Sequence, residues 1–337
     1  MQEIQMNDRI VKWGIIGTGN IANAFATALT VVENSSLLAI ASRSIQKAKI
    51  FANKYDIDRY YGSYQELLKD EEIDIVYIAT PHNLHFENTI QALEHNKAVL
   101  CEKPLAVNHN EAKLMIDLAQ EKRLFLMEAM WSRFLPNIIK AKEIVDKGII
   151  GKVKLLKASF AFKSSYGNEH RHFNIDLCGG TILDIGIYNV FLSLLILGKP
   201  NSVIATANLS DSGIDLSANY TFNYQDSISI MDSSFLVDSP IVSEIRGEKA
   251  KILLQHRWFS PGSIKLVTEN GTEEVFDFNI LINGYEFEAM EAVNCLLNNK
   301  IESEIWTHTN SLELINCLDQ IRRKCGVKYP KHDLVSP

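Results

Sequence analysis

The stretch VKWGIIGTGNIANAFATAL, Val11 to Leu29, places two glycines, Gly17 and Gly19, between an apolar run and an amphipathic one. Val11–Ile16 reads as a buried strand and Ile21–Val32 as a helix. The string Gly17-Thr18-Gly19-Asn20-Ile21-Ala22 is G-x-G-x-x-A, and its strand–turn–helix setting makes it far more specific than the bare pattern. The first glycine makes a tight turn, and the second removes a Cβ so that a pyrophosphate can approach the backbone. The helix N-terminus then offers unpaired N–H groups and the positive end of the helix dipole. Ala22 permits close helix–strand packing. The alternative is a plain strand-to-helix turn.

The sequence around this motif favours the phosphate. Strand-length apolar runs at Val11–Ile16, Leu37–Ala41, Ile75–Ala79, Ala98–Cys101 and Phe125–Met127 alternate with helix-like segments. That alternation predicts a parallel, doubly wound sheet covered on both faces. After about Trp131 the apolar period becomes two residues, and turn sequences such as Asp211-Ser212-Gly213 join short strands. The fold class expected is therefore α/β, with a Rossmann domain over residues 1–128. An α+β domain with an open, mostly antiparallel sheet follows over residues 129–337. A long helix, Thr181–Leu197, interrupts the second sheet, and Gly284–Asn298 and Thr307–Lys324 read as closing helices.

Dinucleotide units that take NAD place an acidic residue about 20 residues beyond the glycines, where it meets the ribose. Here that strand end reads AIASRSIQKAK, with no Asp or Glu between Asn34 and Tyr55. Ser42, Arg43 and Ser44 stand in its place. A guanidinium and hydroxyls suit a 2′-phosphate, which a carboxylate would repel. NADP(H) is the expected cofactor and NAD(H) the alternative, in which Arg43 is a solvated surface residue. Two further strand ends supply Thr80, Pro81 and His85 (VYIATPHNLHFENT) and Glu102 and Lys103 (VLCEKPLA). With Gly17, Gly19, Asn20, Ile21, Ser42 and Arg43 they form the expected cofactor-binding set. Ligands of open α/β sheets bind at these carboxyl ends.

The second half contributes RHFNIDLCGGTILDIGIYNVF. Asp184 and Tyr188 are four apart, so one helix face carries both. A free tyrosine ionises near pH 10, about three units above neutrality, and needs a positive charge nearby to exchange protons there. Lys103 is the lysine expected to supply that charge. The alternatives are a structural Tyr–Asp network and a snorkelling surface lysine. Trp131 and Arg133, in EAMWSRF, and Arg171 are expected to touch substrate; interdomain packing is the alternative for the first two.

His82-x-x-His85 and His170-x-His172 lack a matching Cys or carboxylate set, so capping and loop hydrogen bonds are expected rather than metal. Five cysteines without a CxxC pair suit free thiols and a reducing cytoplasm. A net charge of −7 over 337 residues points to neither nucleic acid nor an anionic membrane. The N-terminus MQEIQMNDRI has no signal-peptide pattern. The apolar Ile185–Leu197, about 13 residues, is too short for a bilayer span and reads as a buried helix.

Taken together, GTGNIA, the EKP at Glu102–Pro104 and GGTILDIGIY at Gly179–Tyr188 resemble the Gfo/Idh/MocA oxidoreductase family over nearly the whole chain. EAMWSRFLP and LDIGIY are similar to its branch of dimeric dihydrodiol dehydrogenases and NADP-dependent D-xylose dehydrogenases. Many family members carry histidine where this chain has Tyr188. The resemblance implies hydride transfer between the nicotinamide and a hydroxyl-bearing carbon of a sugar, polyol or vicinal diol. It implies Lys103 and Tyr188 as the catalytic pair, with Asp184 orienting the substrate or the tyrosine. It also implies a homodimer or homotetramer built through the second domain's sheet. Cys178 and Thr181 stand where relatives often carry glycine, which suggests a reshaped pocket. Two other functions remain open at this stage: a lyase or glycosidase using a tightly bound cofactor in an internal redox cycle, and a non-enzymatic dinucleotide sensor.

Overall fold

A computed structural model describes residues 9–167 and 170–333. It divides into two compact units. The first holds the chain up to Leu105, then Glu111–Trp131 and Leu281–His308; the second holds Ala106–Asn110, Ser132–Ile280 and the chain from Thr309.

The first unit is built from β1 (Val11–Ile16), α1 (Asn20–Leu29), β2 (Ser35–Ala41), α2 (Ile45–Tyr55), β3 (Arg59–Tyr61), α3 (Tyr64–Leu68), β4 (Ile75–Ile78), α4 (His85–Glu94), β5 (Ala98–Glu102), α5 (His109–Lys122) and β6 (Leu126–Ala129). Its six strands run in the order β3-β2-β1-β4-β5-β6, all pairs parallel. This is the doubly wound order, whose switch point lies between β1 and β4. The strands β4, β5 and β6 are buried at every residue, as a sheet covered on both faces requires. The three-residue β3 has no apolar run of its own and is invisible to a search for one. It exists because Ala39, Ile40 and Ala41 of β2 offer it a ladder.

The second unit begins with α6 (Pro136–Asp146) and β7 (Val153–Ala161). Its helix is α7 (Ile187–Leu197), and its strands continue as β8 (Ser202–Leu209), β9 (Asp215–Asn223), β10 (Ile228–Ser234), β11 (Ser243–Gly247), β12 (Ala250–Leu254), β13 (Ile264–Thr268) and β14 (Glu273–Phe276). The eight strands order as β14-β13-β12-β11-β7-β10-β9-β8, antiparallel except for β7 with β10. The helix α7 packs on β7 and β10. Its side chains from Ile187 to Ser193 are all buried. The stretch Ile175–Leu197 is long and apolar enough to cross a membrane, and most of it lies inside this unit as a core element. On the other face of the sheet the exposed Ile204 of β8, Ile230 of β10 and Lys157 of β7 stand in one row with the half-buried Thr221 of β9. Ile204 is 60% exposed and Ile230 44%.

The chain then returns. The helix α8 (Tyr285–Leu297) packs on α1 and β1 in the first unit, and α9 (His308–Cys325) runs mainly in the second. A single division after residue 128 therefore places α8 with the wrong sheet. Its apolar residues Ala289, Ala292 and Val293 are buried, and their period shows only that some surface covers them. Asn283 fixes the return by donating from Nδ2 to the Ala24 carbonyl at 3.0 Å.

Candidate active site

In the first unit the expected residues gather at the carboxyl ends of three adjacent strands. Gly17 follows β1 at φ +109°, and a Cβ there would sit 2.5 Å from the Ala79 carbonyl oxygen. No other residue fits this turn. A Cβ on Gly19 would meet nothing within 4 Å, and no side chain caps the start of α1. Open space before uncapped helical N–H groups fits a bound pyrophosphate. Asn20 is exposed and Ile21 half-buried at the start of this helix.

Ser42 is buried at the end of β2, and its Oγ accepts from the Ser44 N–H at 3.3 Å. Arg43 is exposed; burial pushes the Tyr64 hydroxyl up, and the positive charge of Arg43 exerts a smaller pull down. Both lie where a ribose 2′-substituent is read in this fold.

The ends of β4 and β5 are tied together by a buried histidine. His85 has Nε2 2.9 Å from the Thr80 carbonyl oxygen and Nδ1 2.8 Å from that of Pro104. Its burial makes it a brace between two loops. Thr80 also accepts at Oγ1 from Asn88, while Pro81 is half-buried. Glu102 is buried; it accepts the Lys103 N–H at 3.2 Å and the Tyr77 hydroxyl. Lys103 itself is half-buried, and a cis peptide bond joins it to Pro104. Glu128 supports the same loop by accepting the Leu105 N–H at 2.9 Å and the Trp306 indole N–H at 3.1 Å. Trp131 is buried and stacked on Tyr285, centroids 4.3 Å apart.

The second unit holds the rest. Asp184 lies in a π-helical turn, Ile182–Gly186, that leads into α7. Such turns interrupt α-helices most often at functional sites. Its carboxylate faces the Arg171 guanidinium at 3.2 Å and His172 Nε2 at 3.3 Å. The π turn changes the spacing that a simple helix gives Asp184 and Tyr188. Tyr188 is buried in the first turn of α7, its ring packed near Phe259 (4.9 Å) and Phe160 (5.7 Å). Arg133 is half-buried in the turn after β6. His170 accepts the His172 N–H at 3.3 Å, a loop hydrogen bond of the kind expected.

The start of this π turn is fixed by a residue that sequence reasoning missed. Asp215, fully buried on β9, accepts the Ile182 N–H at 2.7 Å and the Thr181 hydroxyl at 2.9 Å. Thr181 in turn accepts from Ser233 at 2.9 Å. A Cβ on Gly180 would lie 2.1 Å from Asp215 Oδ1, so the second glycine of the pair makes room for this anchor. Tyr329 donates to the Gly179 carbonyl at 2.6 Å. Thr181 therefore uses its hydroxyl inside the anchor, and Cys178 turns the chain at φ +54°. Nothing local in the sequence marked Asp215, which lies 33 residues from its partner Ile182.

A separate cavity of about 770 Å³ in the second unit is lined by Asn108, Asp319, Arg322, Lys328 and His332 among others. It contains none of the expected site residues, and Arg322 is paired with Asp319 and Asp333 in its wall.

The Gfo/Idh/MocA model, an oxidoreductase family with an NAD-binding Rossmann fold, matches residues 11–130, and the family's C-terminal domain model matches residues 138–253. A trans-1,2-dihydrobenzene-1,2-diol dehydrogenase of Xenopus tropicalis is 34% identical over 95% of this chain and 99% of its own. The NADP(+)-dependent D-xylose 1-dehydrogenase of Hypocrea jecorina is 32% identical over 96% and 94%. Among solved structures, a 3-ketoreductase from Actinomadura kijaniata in complex with NADP and TDP-benzene shares the fold. Its TM-score is 0.86 at 24% identity, over 94% of this chain and 98% of that one.

Burial pushes the Asp215 carboxyl up to about 6, against the opposing pull of the Ile182 and Thr181 hydrogen bonds. Its folded value lies above the unfolded one, so the stabilising effect of its proton is complete below about pH 4 and lost as pH rises to 6. At neutral pH the charged form costs about 3 kcal/mol. Asp215→Asn keeps an acceptor for the Ile182 N–H and carries no charge. Its melting temperature, relative to wild type, is expected to climb between about pH 4 and 6 and level off above. A difference that does not change with pH would overturn this account.

Proposed function

This chain belongs to the Gfo/Idh/MocA oxidoreductase family, and from that premise we propose that it is an NADP(H)-preferring dehydrogenase with Lys103 and Tyr188 as its acid–base pair. It is an NAD(P)-dependent oxidoreductase acting on CH–OH groups of sugars or diols. One observation carries the reading of the site. Gly17, Thr80 and Lys103 stand at the carboxyl ends of β1, β4 and β5, neighbours at the switch point of the sheet.

The bound nicotinamide supplies the hydride acceptor or donor, and the protein's part is positioning and proton handling. Gly17, Gly19, Asn20 and Ile21 receive the pyrophosphate, and Ser42 and Arg43 receive the 2′-phosphate. Thr80 and Pro81 line the same strand ends, with His85 and Glu102 bracing them from behind. Tyr188 takes the proton of the substrate hydroxyl in the oxidative direction and returns it in the reductive one. The Lys103 ammonium lowers the cost of the phenolate form. Asp184, held by Arg171 and His172, accepts from a second substrate hydroxyl, and Trp131 and Arg133 contact the rest of the molecule. A polyol or vicinal diol offers that second hydroxyl.

The same reading gives the first unit, α8 included, the cofactor, and the second unit the substrate and the subunit contact. The registered row of Ile204, Thr221 and Ile230 on the open sheet face supports a homodimer or homotetramer. Five free thiols support a reducing, cytoplasmic setting.

Four outcomes test this function. Absorbance assays with aldoses, inositols and vicinal diols are expected to show turnover on one class with NADP⁺. Lys103→Met is expected to keep NADPH binding and lose at least about a hundredfold in kcat; unchanged turnover would remove the lysine from the mechanism. Arg43→Ala is expected to raise KM for NADP⁺ about tenfold or more and leave that for NAD⁺ in place, since one charge-assisted contact is lost. Equal effects on both cofactors would refute the 2′-phosphate reading. Light scattering of the pair Ile204→Asp with Ile230→Asp is expected to show monomers where wild type shows dimers or tetramers.

A further inference from the structure

Two glutamates stand two residues apart on α8, and both are fully buried. Glu286 is satisfied. Its carboxylate accepts the backbone N–H groups of Ile282, Asn283 and Gly284 at 3.0, 3.2 and 2.7 Å. Burial raises it, yet these three donors outweigh burial and hold it below the usual carboxylate range. Glu288 is the opposite case. Neither of its carboxyl oxygens has a hydrogen-bond partner among the described residues. A charged carboxylate left so would be expensive.

The groups that face Glu288 explain what it does instead. From β5 comes Glu102, buried and the anion that accepts the Lys103 N–H and the Tyr77 hydroxyl. From β4 comes Tyr77 itself, stacked on Phe25 of α1 at 3.7 Å. Tyr285 precedes it on its own helix. The helix α1, NIANAFATAL, carries no charge, and Lys12 of β1 is engaged by Glu72. Among the described residues, the one charge that acts on Glu288 is that of Glu102. Two neighbouring buried carboxyls cannot both ionise, so one proton stays with the pair. Burial first, and the Glu102 charge second, hold Glu288 well above the usual carboxylate range, which places the proton there.

We propose that Glu288 is a positioning residue for Lys103: held as a neutral carboxylic acid near Glu102, it leaves Glu102 as the anion of the pair, the one that accepts the lysine's backbone N–H. The inference rests on the reading of Lys103 as catalytic. If Glu288 ionised, Glu102 would be driven to take up the proton or to move from its place behind Lys103. In the neutral state Glu102 keeps a full charge for the Lys103 N–H and the Tyr77 hydroxyl, and charged acceptors bind more strongly. The segment that carries Glu288 lies far along the chain, and it reaches the lysine's strand only through the return of α8.

Infrared difference spectra of the full-length protein, wild type against Glu288→Gln at neutral pH, read the proton directly. A protonated-carboxyl carbonyl band in wild type that is lost in the variant is expected; a wild type without that band overturns the proposal. The pH profile of kcat reads the positioning. Above the pH at which that band disappears, wild type has a second carboxylate beside Glu102 and Glu288→Gln does not. The ratio of variant to wild-type kcat is therefore expected to rise at least about threefold across the pH range in which the wild-type band is lost, and to stay level if the band persists throughout. A ratio that stays flat while the band is lost makes Glu288 a packing residue and overturns the proposal. Glutamine has the shape of the neutral acid, and thermal unfolding at neutral pH verifies that the variant is folded. Lys103→Met separates the two readings. If it keeps turnover, the lysine assignment has failed whatever the infrared band shows. If it loses turnover while the ratio stays flat across the loss of the band, only the role of Glu288 has failed.

Discussion

No side chain fits between Gly17 and the carbonyl of Ala79. The turn after β1 passes so close to the chain leaving β4 that a Cβ would lie 2.5 Å from that oxygen. The approach is possible because β1 and β4 are direct neighbours, with Ile16 opposite Ile78. It has a consequence for chemistry. The start of α1 and the loop after β4 are held at one spot, the switch point of the sheet, where a crevice opens between helices that leave in opposite directions. Gly19 then keeps that spot clear. Tightness at one glycine and emptiness at the other are two halves of one device.

The second unit solves a different problem, that of fixing a polar helix start inside an apolar core. A buried helix end needs partners for its N–H groups. A single oxygen of Asp215, Oδ2, accepts from both the Ile182 N–H and the Thr181 hydroxyl, and Ser233 closes the set. The carboxyl is raised to about 6 because burial outweighs these bonds. The widened π turn that follows carries Asp184 toward Arg171 and His172. Strain, burial and charge thus meet within a few residues, as they do where a fold gives up some stability for function.

Much of this was legible in the sequence. Val11–Ile16 and Ile75–Ala79 are apolar runs with a turn signature at their ends, and strands of that kind are set by local pattern. The glycines, Lys103 and Tyr188 each belong to a short contiguous motif. What stayed hidden depends on contacts distant in sequence. The strand β3 is defined by its neighbour, not by its own residues. His85 reads as a loop histidine until the carbonyls of Thr80 and Pro104 are seen on either side of it. The π turn obeys the same apolar pattern as an α-helix. Asp215 follows a surface turn, Asp211-Ser212-Gly213, and nothing nearby separates it from a solvated aspartate.

The return of α8 is the hardest of these to read and has the widest effect. Periodicity says that Ala289, Ala292 and Val293 need a covering surface, and two sheets are available. The choice is made by α1, whose small residues leave room, and by Asn283, whose amide finds the Ala24 carbonyl. Once α8 lies there, Glu286 and Glu288 are both forced inside. The helix start satisfies the first through its own backbone N–H groups, because a carboxylate in the first turn can fold back onto them. The second lies one turn-fraction further on, beyond reach of those donors. It lies within electrostatic reach of Tyr77 and Glu102 instead. A helix placed for packing thereby sets the charge state behind the strand end that bears Lys103. The fold's last contribution to its first unit is electrostatic.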